Sequence, residues 1–180
     1  TAATVAVTAA IARRIGGAAA GLCAGIVLAL APLSAEMSRF ARVDALMVLC
    51  VALALLFATR CRAEARPRDA ALSAVFAGLA IGTKYPAAFV LPAIWSAAFL
   101  ARAPGSGGAL RLGSPLRAVL LLFALPSAIF LATSPFILLD RASFLEEMRS
   151  IAGLVAVPFQ AGQPAPGPFF YPRHLVGGAF

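Results

Sequence analysis

Asp44 stands at the mouth of the apolar run 45–59, in the stretch SRFARVDALM, beside Arg39 and Arg42 and downstream of Glu36. On a continuous helix Glu36, Phe40, Val43 and Met47 share one face at spacings of four, three and four, and Asp44 falls within about a quarter turn of them. Two carboxylates so placed could enter one polar cavity. A carboxylate at the end of such an apolar run is costly unless it is hydrated, paired or bound to a cation. The plainer reading is an interfacial cluster in which Glu36 and Asp44 pair with Arg39 and Arg42 and anchor the helix.

Lys84 poses the same question with less polar cover, since it separates AVFAGLAIG from AAFVLPAIW. An ammonium next to Tyr85 and near helix ends suits a phosphate contact, because both the charge and exposed N–H groups favour an anion. Snorkelling to lipid headgroups accounts for the same residue equally well. Near the end of the chain, Tyr171, Arg173 and His174 follow Phe169 and Phe170, and Arg173 with His174 could contact a phosphate. His174 is the only histidine, so no histidine-based metal cluster can form within the 180 residues. Cys23, Cys50 and Cys61 lie in or beside apolar runs without a CxxC and are expected to pack.

The elements that must position these residues are helices in a membrane. Of the 180 residues, 62% are hydrophobic and 12% charged, against roughly 25% charged in an ordinary soluble domain. Apolar stretches at 1–12, 16–33, 45–59, 70–81, 87–101 and 118–133 are separated by short polar breaks. A hydrocarbon core of about 30 Å asks for about 20 residues per helix, so several of these are short. The expected fold is all-α: a polytopic transmembrane helical bundle of about six spans, with an outward amphipathic helix and loop. The opening on Thr1 and the end at LVGGAF are read as cuts from a longer polypeptide. No signal-peptide layout is present, and the formal charge of +8 comes from scattered arginines, which argues against a nucleic-acid partner.

Positive charge concentrates in loops that stay cytoplasmic. Arg13, Arg14, Arg60, Arg62, Arg66, Arg68, Arg102, Arg111 and Arg117 fall in one set of breaks against Glu64 and Asp69. These are expected on the cytoplasmic side. Arg39, Arg42, Lys84, Arg141, Arg149 and Arg173 fall in the alternate set against Glu36, Asp44, Asp140, Glu146 and Glu147, which is expected outside. The alternation closes only if TKYP at 83–86 is an outward turn, and Pro86 supports one. The cytoplasmic breaks are expected to be plain: RCRAEARPRD a solvated connection and RAPGSGGALRLGSP a linker, with no GK[ST] to make GSGG a phosphate loop.

Residues 134–171 form the longest outward region. Phe144, Met148 and Ile151 are spaced for one helix face around a polar patch, which suggests a helix lying along the membrane surface. Asp140 or Ser143 would cap it, with Glu146 completing a capping box from Ser143. The following PFQAGQPAPGPFFYP, with five prolines, is expected to be an irregular loop ending in aromatic residues at the interface.

The order ARRIGGAAAGLCAGIVLALAPLSAEMSRFARVDALMVL, AGLAIGTKYPAAFVLP, TSPFILLDRASFLEEM and GPFFYPRHL resembles the glycosyltransferase family 39 membrane enzymes, which include protein O-mannosyltransferases and aminoarabinose transferases and share the C-type glycosyltransferase fold. SRFARVDAL and GTKYPA are the most telling pieces, because hydrophobicity alone dictates neither. The resemblance implies one transmembrane domain over 1–180 and an inverting transferase in a bacterial inner membrane. It would take a sugar from a polyprenyl-phosphate carrier at the outer face and pass it to a protein, lipid or glycan acceptor.

By the same resemblance the catalytic base is an aspartate expected upstream of Thr1. Asp44 matches an acidic position that shapes the polar cavity and bears on a metal or the acceptor. A divalent metal is thus allowed, with Asp44 its candidate ligand, and no other cofactor is implied. Lys84 matches the lysine of the family's TK motif, and Phe169, Phe170 and Tyr171 resemble the aromatic stretch near the donor phosphate. QAGQPAPG departs from the basic or histidine residue often found just before that stretch. A multipass transporter, with a mid-membrane site at broken helices around Lys84, or a non-catalytic scaffold is the alternative.

Overall fold

The computed structural model describes residues 2–31, 43–101 and 120–156, and among them every regular element is helical. Glu36, Arg39, Arg42, Tyr171, Arg173 and His174, with the proline-rich loop, lie outside the described residues. The chain divides into two units, Thr1–Pro135 and Phe136–Phe180.

The first helical stretch, α1 (Ala2–Leu30), is long and apolar enough to be one membrane span, as is α2 (Val43–Glu64). Yet α1 is not straight. Gly17 has φ 84° and ψ −175°, a left-handed backbone that glycine adopts without steric cost. A Cβ placed on Gly21 would lie 2.7 Å from Arg13 Cβ, and one on Gly25 would lie 3.3 Å from Ala9 Cβ. At a rise of about 1.5 Å per residue, a straight helix would hold those pairs roughly 12 and 24 Å apart. Residues 2–16 and 18–30 therefore form a hairpin, whose turn carries Arg13 and Arg14. Two of the expected apolar stretches are one helical stretch folded on itself.

After α2 come α3 (Pro67–Thr83), a 3-10 segment (Tyr85–Val90) and α4 (Leu91–Phe99). Pro67 opens α3 at a position where its missing N–H costs nothing. Lys84 ends α3 in an extended conformation, with its N–H donating to the Ala80 carbonyl at 3.0 Å. The expected turn at 83–86 is present, and the chain reverses there: Ala87 packs near Ala80, and Ala101 near Ala70. A π-helical segment (Leu120–Ala124) leads into α5 (Leu125–Thr133). Pro126 cannot donate to the Leu122 carbonyl, and the Trp95 indole Nε1–H fills that vacancy at 2.9 Å.

What is buried is small. Ala54, Ala77, Ala80, Ser73 and Ala101 are fully covered, whereas Phe89 is 88% exposed, and Leu30 and Ile15 are each 75% exposed. Gly78 and Gly82 admit α5 closely: a Cβ on Gly78 would stand 2.6 Å from the Pro126 carbonyl oxygen, and one on Gly82 would collide with Thr133 Oγ1. Small residues inside and large apolar ones outside is the pattern of helices that associate within lipid. The Ser73 hydroxyl donates to the Ala54 carbonyl at 2.8 Å and joins α3 to α2.

The helices α4 and α5 are shorter than a span by length alone. Cys50 and Cys61 are buried as expected, but Cys23 is exposed.

The second unit contains α6 (Phe136–Leu139) and α7 (Arg141–Ala156). Asp140, not Ser143, caps α7: its Oδ1 accepts the Ser143 backbone N–H at 3.1 Å. Helix begins at Arg141, so Ser143 already lies inside the first turn. Phe144 and Met148 are the half-buried pair of the expected face.

Candidate active site

Unit one has two chemically distinct ends. Asp44 begins α2, Lys84 ends α3, and Thr133 ends α5 near Gly82, so all three gather at one end. Arg14, Arg60, Glu64, Arg66 and Asp69 gather at the other, where Arg14 Nη2 and Arg66 Nη1 each lie 2.8 Å from a Glu64 carboxylate oxygen. Helices that alternate in direction produce this separation, and it matches the alternation of the basic breaks along the sequence.

At the first end Lys84 Nζ is 2.6 Å from Asp44 Oδ1. Asp44 occupies the first turn of α2, where a negative charge complements the positive helix end. Lys84 is fixed at its backbone, since its carbonyl accepts the Ala87 N–H at 3.0 Å while its own N–H is held by Ala80. Beneath the pair, Met47, Cys50, Ala80 and Ala87 pack together. Tyr85 sets its ring edge-on to Phe130, centroids 6.1 Å apart, and ties the turn to α5. The Lys84 side chain is 50% exposed and that of Asp44 32%, so the ammonium is steadied without being sealed.

Lys84 and Asp44 are ion-paired across the helix pair, and Arg39 and Arg42, the other expected partners of Asp44, lie outside the described residues. Among the described residues no three His, Cys, Asp or Glu side chains converge, and Asp44 Oδ1 faces the Lys84 ammonium.

The stretch RCRAEARPRD is also less plain than expected. Asp69 is 3% exposed and forms an ion pair with Arg60, whose Nε lies 3.2 Å from Asp69 Oδ1. Its place in the first turn after Pro67 was the available signal, since an acid there both complements the helix end and points back toward α2. The Trp95 bond to Leu122 was legible only in the proline four residues after that carbonyl.

A small-residue helical interior under an apolar exterior, charged only at its ends, defines a membrane protein with a cation–carboxylate pair at one end. Residues 1–132 match the family described as dolichyl-phosphate-mannose-protein mannosyltransferase, and the chain belongs to it. It is accordingly a membrane glycosyltransferase of the mannosyltransferase type, which sets aside the transporter and scaffold readings. No curated protein and no solved structure matches the chain.

Proposed function

We propose that the protein transfers a sugar from a polyprenyl-phosphate carrier to a protein, lipid or glycan hydroxyl at the outer face of the membrane, and that the Asp44–Lys84 end faces the donor. The reading takes the chain as part of one multipass domain of about six spans, with the arginine-rich end in the cytoplasm and 134–171 outside. The observation that carries it is the 2.6 Å contact between Lys84 Nζ and Asp44 Oδ1.

An ammonium has three N–H donors. Asp44 takes one and orients the group, which leaves two for phosphate oxygens. In the reaction the acceptor oxygen bonds to the anomeric carbon and the bond from that carbon to the phosphate oxygen breaks with inversion. Its electron pair stays on the departing polyprenyl phosphate, where Lys84 offsets the charge that develops. The acceptor proton passes to a carboxylate base outside the described residues. Glu36, Arg39, Tyr171, Arg173 and His174 are further candidates for the cavity and the donor.

Sugar transfer from a polyprenyl-phosphate donor, measured in membranes carrying the intact protein, tests this. Lys84→Met should lower the rate roughly ten- to a hundred-fold at an unchanged membrane level, with partial recovery in Lys84→Arg. A wild-type rate in Lys84→Met would remove Lys84 from donor handling.

A further inference from the structure

The arginine-rich end holds a cavity of about 480 Å³ whose walls include Phe57, Arg60, Arg66, Arg68, Asp69 and Leu72. Three of these are guanidinium groups, and they are not equivalent. Arg60 is pinned, with Nε 3.2 Å from Asp69 Oδ1 and its guanidinium carbon 5.5 Å from the Phe57 ring centroid. Arg66 is tethered to Glu64 at 2.8 Å but keeps 62% of its side chain exposed. Arg68 is exposed and makes no ion pair among the described residues. The three guanidinium groups lining the cavity face one lining carboxylate, Asp69, and the Glu64 carboxylate next to Arg66 is shared with Arg14.

The geometry points to a binding site for the phosphodiester headgroup of an anionic phospholipid, of the phosphatidylglycerol kind, with Arg68 and Arg66 as its ligands and Arg60 as the fixed wall behind them. Charge excess selects an anion, and guanidinium groups donate in pairs to phosphate oxygens. The apolar half of the cavity selects a lipid over a free anion. Phe57 and Leu72 belong to helices whose outer surfaces are apolar, and Leu72 itself is 40% exposed. A headgroup seated here would keep its phosphate on the arginines and its acyl chains along those surfaces, as basic pockets between membrane helices do. The Asp69 carboxylate is ion-paired with Arg60 through Oδ1, while its Oδ2 is buried without a hydrogen-bond partner, so the Arg60 charge beside it offsets its repulsion toward an incoming phosphate. The site is independent of sugar transfer and lies at the opposite end from Lys84.

Native mass spectrometry of the intact protein, exchanged into detergent with equal phosphatidylglycerol and phosphatidylcholine, reads the outcome. Wild type should retain phosphatidylglycerol preferentially. Arg68→Gln should reduce that retention about five-fold, whereas Arg62→Gln, at an exposed arginine outside the cavity wall, should leave it unchanged. Equal retention of the two lipids, or equal losses in the two variants, would overturn the assignment in favour of diffuse surface charge. Displacement of the lipid by millimolar inorganic phosphate would overturn its lipid half and leave a soluble-anion site. Circular dichroism of Arg68→Gln confirms that the fold is kept.

Discussion

Lys84 reaches Asp44 across a sequence separation of 40 residues, with its ammonium nitrogen 2.6 Å from the carboxylate oxygen. The two mark the first turn of one helix and the end of the next, so the contact reports the register of α2 against α3 directly. Both side chains are partly exposed, and the pair should contribute no more than about 1 kcal/mol to stability. Its consequence is expected in catalysis. Asp44→Asn should lower sugar transfer at least about ten-fold with folded protein maintained, and the Asp44→Asn/Lys84→Met double variant should fall little below Lys84→Met alone. Losses that multiply would show that the residues act separately.

Sidedness is open to chemical labelling. In a cysteine-free background, a single cysteine at position 66 should resist a membrane-impermeant reagent applied to intact cells, and one at 147 should react. The reverse pattern would invert the topology proposed from the arginine distribution.

The close approach of α3 and α5 depends on two missing methyl groups. Gly78→Ala would press its new carbon on the Pro126 carbonyl and on Ile129 Cβ, 2.6 and 2.7 Å away, and overpacking of this kind costs about 1–3 kcal/mol. Gly82→Ala meets Thr133 Oγ1, and Thr133 can rotate. Thermal unfolding in detergent should show the larger loss for Gly78→Ala.

Trp95→Phe keeps an aromatic ring against Phe123, now at 4.7 Å between centroids, and deletes the donor to Leu122. The carbonyl belongs to a residue 2% exposed and has no N–H available from Pro126, so the loss should be about 1–3 kcal/mol. Trp95→His, which restores an N–H, should recover part of it in the same unfolding assay.

Asp140 gives a pH dependence with a definite sign. The Ser143 backbone N–H, followed by the Ser143 side chain, lowers its pKa below the ordinary 3.8. A carboxylate so lowered supports α7 fully above that ordinary value and ceases to do so as the pH falls through the lowered one. Helicity of the intact protein should therefore decline in that acidic window. Asp140→Asn, which caps without titrating, should lose this component of the decline.

Much of the architecture was legible because the membrane simplifies the problem. The helix at 43–64 follows from an apolar run ending in arginines, the helix at 67–83 from the apolar run after RPRD, the break at Lys84 from TKYP, and the helix after Asp140 from its capping pattern. The hairpin in α1 was visible as a break at Arg13 and Arg14, although residue type alone did not say that Gly16–Gly17 would carry helix to both sides of a left-handed turn. Cys23 was misjudged because an apolar run has an outer face as well as an inner one, and periodicity is weak when both faces are apolar.

What the sequence determined by itself was the solvent and the alternation of ends: hydrophobic content places the helices in lipid, and charged side chains cannot be drawn through it, so they mark where the chain turns. What only the tertiary structure decided was partnership. Lys84 meets Asp44 instead of standing alone, Asp69 is buried under Arg60 instead of solvated, and Trp95 serves a carbonyl that a proline cannot. Each depends on the register and separation of two helices, and these are set by where glycine, alanine and serine let backbones approach, a property of paired surfaces that no single segment contains.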